Sequence, residues 1–257
     1  MRYLIRLSYN GAVFCGWQEQ TNSPSVQESL QKAIAVLLKT DTPVTGAGRT
    51  DTSVNAINYV AHFDAEKMSA SETAFLRYKL NAILPQGIVV HEVCPADEDF
   101  HARFDATSRE YKYFIHRKKD PFIESRSHLC TFLLDVEEMN RACSLLLGRK
   151  DFSCFEKTGG NNKTSICNLT LAEWKTYKPD HVEMLGFPYD EGDYLVFTIR
   201  ADRFLRNMVR AVVGTMIEIG RGKHNAEWVS ELLKSGNRSS AGQSVPGHAL
   251  FLCQIDY

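Results

Sequence analysis

Hydrophobic periodicity that switches repeatedly between two and about 3.6 residues constrains this chain more than any other property. Residues 2–9, RYLIRLSY, alternate and place Tyr3, Ile5, Leu7 and Tyr9 on one side of a strand. Behind Pro24 the period changes: Val26, Leu30, Ala33, Ile34 and Leu37 share a helical face over 25–39, and Ser25 and Glu28 have capping-box spacing. NYVAHFD at 58–64 is strand-like again, SETAFLRYKLNAIL at 71–84 helical, and GIVVHEVCPA another strand. The second half repeats the alternation without repeating the sequence. A strand is predicted at 108–117, a helix at 135–148 capped by Asp135 and stopped by Gly148, and strands at LTLAEWKTY and YLVFTIRA. A long hairpin connection through Pro179, Gly186, Pro188 and Gly192 joins those two strands. Helices over 202–219 and 225–234 and a closing strand, ALFLCQIDY, complete the chain. The pattern predicts an α+β fold of two mixed α/β halves, 1–104 and 105–257, with a mainly antiparallel sheet.

At 257 residues and 44% hydrophobic content, the chain can fill one large core or two ordinary ones. Its seven cysteines are scattered, odd in number and free of any CxxC pair, which points away from a disulfide framework or a zinc site. The amino terminus reads as a strand rather than a signal peptide, and no apolar run approaches the ~20 residues of a membrane helix. A cytoplasmic protein without a membrane partner is therefore expected.

The run GAGRTDTSVNA at 46–56 concentrates glycines, an arginine and an aspartate. Gly46 and Gly48 permit positive φ and close backbone approach, and in an extended segment Arg49 points the same way as Asp51. An arginine beside an aspartate favours the carboxylate, and a positioned carboxylate is a nucleophile or a base. The same five residues, GAGRT, also suit a surface turn carrying an ion pair.

A net charge of -1 excludes a uniformly basic nucleic-acid binder, but the charge is unevenly spread. Between His101 and Lys119 stand Arg103, Arg109, Lys112, Arg117, Lys118 and Lys119 against Asp105 and Glu110, with YDEGD at 189–193 as acidic counterweight. With Tyr111, Tyr113 and Phe114 interleaved, this stretch can follow phosphates and stack bases, or it is a solvated strand face. Arg109, Tyr111, Tyr113 and Ile115 share one side of that strand; Tyr111 suits base stacking, proton exchange or plain sheet packing. In ADRFLRNMVRAVVGTMIEIG, Arg203, Arg206 and Arg210 follow i, i+3, i+7 and form one basic stripe if helical. Arg210, flanked by Val209 and Val212, would then lie near the helix middle and need a carboxylate or phosphate partner. Phosphate-loop, dinucleotide, HExxH and GxSxG motifs are missing, and the eight histidines have no ligand spacing, so no cofactor and no metal is expected.

Six ordered motifs then resemble one family. YNGAVFCGWQ, GAGRTD, FHARFDATSREYKY, DFSCF, FLRNMVRAVVG and AGQSVPGHALFL are similar to the bacterial tRNA pseudouridine synthase A family along nearly the whole chain. The resemblance implies the pseudouridine synthase fold with ferredoxin-like (RRM-like) halves. It implies isomerisation of uridine to pseudouridine in the anticodon stem and loop of tRNA without a cofactor, by a homodimer. It puts the catalytic aspartate on Asp51, its supports on Tyr111 and Arg210, and a base contact on Leu250; the charge pattern adds Arg49 as a support of Asp51, and Arg109, Arg203 and Arg206 beside Tyr111 as substrate-binding residues. An Asp51–Arg210 pair is expected. Departures fall at Ser53 and Asn55, where the family has glycine and histidine, and at Gln243 and Ser244, where it has proline and threonine. If position 53 requires positive φ, serine there costs ~1 kcal/mol or more relative to glycine, whereas Asn55 keeps hydrogen-bonding ability. A tRNA-binding module with a lapsed site and an Asp51 hydrolase are the other classes these residues allow.

Overall fold

The computed structural model describes residues 1–159 and 163–257, which form two compact units: Met1–Ser108 with Phe251–Tyr257, and Arg109–Leu250. The first contains β1 (Arg2–Tyr9), α1 (Val26–Leu38), β2 (Val44–Gly46), β3 (Asn55–Asp64), α2 (Ala70–Ile83), β4 (Ile88–Pro95) and most of the last strand, β10 (Leu250–Asp256). Its strands run in the order β4-β1-β3-β10, with β2 also on β3. β1 is antiparallel to both β3 and β4, and β10 joins β3 in parallel, with Phe251 opposite Asn55. The alternation read in β1 holds: Tyr3, Ile5, Leu7 and Tyr9 are all buried. Ser25 Oγ accepts the Glu28 N–H at 3.2 Å to start α1, which buries Val26, Leu30, Ala33 and Ile34. A reciprocal Ser69–Glu72 box starts α2.

The second unit contains all but the first residue of β5 (Ser108–His116), with β6 (His128–Leu129), α3 (Val136–Ser144), β7 (Gly148–Asp151), β8 (Ile166–Thr176), α4 (Asp180–Glu183), β9 (Tyr194–Ala201), α5 (Met208–Gly220) and α6 (Trp228–Ser235). The order β5-β9-β8-β7 is antiparallel throughout, and β6 adds to β5 in parallel. Trp174 of β8 stacks on Phe197 of β9 at 5.0 Å, and α5 is nearly fully buried. The mixed α/β, mainly antiparallel architecture agrees with the sequence expectation.

Three local expectations change. The 202–219 helix begins only at Met208, because Asn207 is left-handed (φ 64°) and its amide donates to Ser244 Oγ at 2.5 Å. Arg203 and Arg206 thus precede the helix, and the continuous basic stripe does not form. The 135–148 helix ends at Ser144, and Gly148 (φ 93°) opens β7 instead of stopping the helix. β2, β6 and β7, two to four residues each, are too short to carry a period.

Candidate active site

Asp51 is half-buried in the loop between β2 and β3, and the YNGAVFCGWQ segment is the cradle of that loop. Tyr9 Oη and Thr50 Oγ1 are 2.9 Å apart in a buried contact. The Thr50 carbonyl accepts the Trp17 N–H at 3.3 Å, and the Phe14 carbonyl accepts the Ser53 N–H at 3.3 Å. The buried Asn55 side chain accepts the Gly11 N–H at 2.9 Å through Oδ1. The two glycines have no room for a side chain: a Cβ on Gly11 would lie 2.2 Å from the Val54 carbonyl oxygen, and one on Gly16 (φ 95°) 2.3 Å from the Thr50 carbonyl oxygen. Beneath, Trp17 stacks on Tyr59 at 4.1 Å, and the Tyr59 hydroxyl donates to the Gly48 carbonyl. Backbone bonds, packed rings and a close glycine crossing therefore hold the chain on both sides of the carboxylate.

Within the motif the left-handed residue is Ser53 (φ 65°), whereas Gly46 and Gly48 are not at positive φ. What position 46 requires is space, since a Cβ would lie 2.3 Å from Tyr59 Oη. Arg49 is exposed, and its Nε donates to Gln18 Oε1 at 3.2 Å. Sequence reasoning missed the anchoring roles of Tyr9, Thr50 and Gln18. Their signal was present, since Tyr9 and Gln18 bracket the first motif.

The second unit carries the remaining predicted residues. Tyr111 on β5 is half-buried and meets Phe204 edge to face at 5.1 Å. Arg109, two residues earlier on the same side, donates from Nη1 to the Asp202 carbonyl at 2.7 Å. These contacts bring Arg109 and Tyr111 to the turn that holds Arg203, while Arg206 is exposed and donates weakly to the Thr158 and Gly159 carbonyls at 3.4 and 3.5 Å. Arg210 lies in the first turn of α5, half-buried rather than mid-helix. Its Nε donates to the Val245 carbonyl at 2.7 Å, and its own carbonyl accepts the Val245 N–H at 3.2 Å. One residue on, the Pro246 carbonyl accepts the buried Tyr113 hydroxyl at 3.0 Å. Burial pushes the Tyr113 phenol well above its ordinary pKa, and the nearby Arg210 charge only partly opposes this, so Tyr113 stays protonated. Leu250 is buried at the end of the same segment, with its N–H on the Gly247 carbonyl at 2.9 Å.

Two motifs in this unit meet backbone to backbone. A Cβ on Gly214 of α5 would lie 1.8 Å from the Gln243 carbonyl oxygen, and the Gly242 N–H donates to Thr215 Oγ1 at 3.0 Å. The AGQSVPG segment is thereby fixed on the helix that carries Arg210. DFSCF is a core element, with Phe152, Cys154 and Phe155 fully buried. The basic run is partly neutralised: Lys118 pairs with Asp190 and, at 3.2 Å, with Asp193 of the acidic YDEGD loop. No group of metal-ligating side chains is positioned to hold an ion, and no helix is long and apolar enough to cross a membrane, among the described residues.

Comparison with known proteins covers the whole chain. The family model described as tRNA pseudouridine synthase matches residues 142–257. The chain is 46% identical over 256 residues to the tRNA pseudouridine synthase A of Parabacteroides distasonis, covering 100% of this chain and 96% of that protein. It is 45% identical over 259 residues to that of Bacteroides fragilis, with coverage of 100% and 96%. The chain belongs to the tRNA pseudouridine synthase A family. Likeness extends beyond close relatives, with 37% identity over 259 residues to the tRNA pseudouridine synthase A of Colwellia psychrerythraea, covering 100% and 94%. As a synthase-family member, the chain combines a braced Asp51 loop in one unit with a braced Arg210–Val245 contact in the other.

Proposed function

We propose that this protein isomerises uridine to pseudouridine in tRNA, in the anticodon stem and loop, with Asp51 as the catalytic carboxylate. The observation that carries the reading is the whole-length kinship with tRNA pseudouridine synthase A proteins, together with an Asp51 loop braced at Thr50, Ser53 and Asn55. A uridine within a stem is out of reach, so the nucleotide is flipped at a cost of a few kcal/mol, offset by contacts to the RNA backbone. Asp51 then either attacks the anomeric carbon of the ribose or removes the neighbouring C2′ proton. In both routes the bond from C1′ to N1 breaks and its electron pair leaves with the uracil. The freed base turns and C5 bonds to C1′, displacing the Asp51 ester in the first route or adding to the glycal as Asp51 returns the proton to C2′ in the second, and the C5 proton departs. Tyr111 accepts that proton, Leu250 supplies an apolar wall that lets the base rotate, and Arg210 pairs with Asp51. Arg49 supports the Asp51 carboxylate, and Arg109, Arg203 and Arg206 are assigned to the RNA. The active form is a cytoplasmic homodimer.

The decisive measurement is tritium release from tRNA labelled at uridine C5. Wild type releases label and Asp51→Asn does not, while both bind tRNA. Tight binding without release by wild type would instead identify a lapsed tRNA-binding module. Tyr111→Phe tests the proton acceptor, since full turnover by that variant removes the role.

A further inference from the structure

A groove of about 500 Å³ opens in the second unit, with none of Tyr113, Arg210 and Val245 in its lining. One wall consists of Ser153, Lys157 and Thr158, the other of Asn237, Arg238 and Ser239. Among the described residues no apolar or aromatic side chain lines it, so they offer no platform on which a base would stack. Hydroxyls, an amide and two cations are instead the groups that pair with phosphate and ribose oxygens. The one acid in the lining among the described residues, Glu156, is engaged by the Ser165 hydroxyl at 2.9 Å. Arg206 adds a third cation at the rim, on the Thr158 and Gly159 carbonyls.

Both walls are held in place. Asp151 Oδ1 accepts the Ser153 N–H at 2.8 Å, the Arg206 carbonyl accepts the Lys157 N–H at 3.0 Å, and Asn237 Oδ1 accepts the Ser239 N–H at 3.0 Å. The Arg238 guanidinium donates to the Gly242 carbonyl at 3.1 Å and to Ser244 Oγ at 2.9 Å. It thus links the groove to the segment that continues into Val245 and Pro246, the acceptors of Arg210 and Tyr113.

We propose that this groove receives the sugar-phosphate backbone of the tRNA substrate, at a nucleotide other than the one that reacts. The proposal rests on the tRNA reading above. It is tested with full-length protein carrying Lys157→Gln, by measuring tRNA binding across a salt series, steady-state tritium release and thermal midpoint. A lost phosphate contact lowers the slope of log affinity against log salt by roughly 0.7 to 0.9. The expected result is that loss of slope, a several-fold rise in Kd and KM, an unchanged kcat at saturating tRNA and an unchanged midpoint. Wild-type slope and Kd in both Lys157→Gln and Lys157→Glu would overturn the proposal. So would Lys157-dependent binding of inorganic phosphate with unaltered tRNA binding, which identifies a site for free anions. Salt-slope loss in a protein whose wild type releases no tritium would uphold the groove while refuting the synthase reading.

Discussion

Replacing Ser53 with glycine is expected to stabilise the protein. Ser53 sits at φ 65° beside the proposed catalytic loop residue, with its N–H on the Phe14 carbonyl at 3.3 Å and Val54 N–H on the Asp51 carbonyl at 3.2 Å. A left-handed L residue carries roughly 1 to 2 kcal/mol of strain, and glycine returns about 0.5 to 1 kcal/mol of that through its freer unfolded chain. The net gain is on the order of 0.5 to 1 kcal/mol, which for a chain of this size raises the thermal midpoint by about 1 to 4 °C. Because the flanking backbone bonds already fix the loop, the variant should keep its turnover in the tritium-release assay within about twofold. Ser53→Ala is the control: it removes the hydroxyl and retains the strain, so it should not gain. Paired scanning calorimetry and tritium release decide the matter. If the glycine variant melts at or below wild type while the alanine variant melts above it, backbone strain is not what position 53 contributes.

Tyr113→Phe should cost about 0.5 to 1.5 kcal/mol in urea unfolding, because the buried phenol loses its 3.0 Å hydrogen bond to the Pro246 carbonyl. Gly214→Ala would stabilise an ordinary exposed helix by about 1 kcal/mol, yet here its Cβ would meet the Gln243 carbonyl oxygen at 1.8 Å. The sign should therefore reverse, with a loss of about 3 kcal/mol or more, and a stabilised variant would show that the crossing yields. Burial, with smaller contributions from Arg2 and His101, pushes the His62 pKa down to about 4, and its Nδ1 accepts the Ala102 N–H at 3.1 Å. The unfolded chain takes up that proton near the ordinary value of about 6.5 while the folded state stays neutral, so stability should fall as pH drops from about 6.5 towards 4. His62→Gln should flatten that part of a urea-against-pH series.

Local capping chemistry was legible where one residue type serves one purpose. Ser25 before Glu28 and Asp135 before Glu138 each accept the expected N–H in the structure. The periodic argument failed before Met208, because 203–207 are compatible with a helix by composition. Asn207, tied to a residue far along the chain, ends that option. The basic run at 117–119 likewise carried no sign that Lys118 is met by Asp190 and Asp193, since ion pairs across long separations leave no local pattern.

By itself, the sequence determined the alternation of helices and strands and the mixed, mainly antiparallel class. The six motifs identified the family, because side-chain periodicity and ordered motifs are properties of the chain in one dimension. Only the tertiary structure decided why the first motif is what it is. Tyr9, Gly11, Phe14, Gly16 and Trp17 lie more than thirty positions before Asp51, and they are needed because its loop is built against the Tyr9 hydroxyl and the backbone of the other four. Tertiary structure also decided that Phe251–Tyr257, last in the chain, belong by contact to the first unit, where β10 joins β3 in parallel. A strand's own residues specify which of its faces is buried. Which edge it joins depends on the hydrogen-bonding groups that the rest of the fold leaves open.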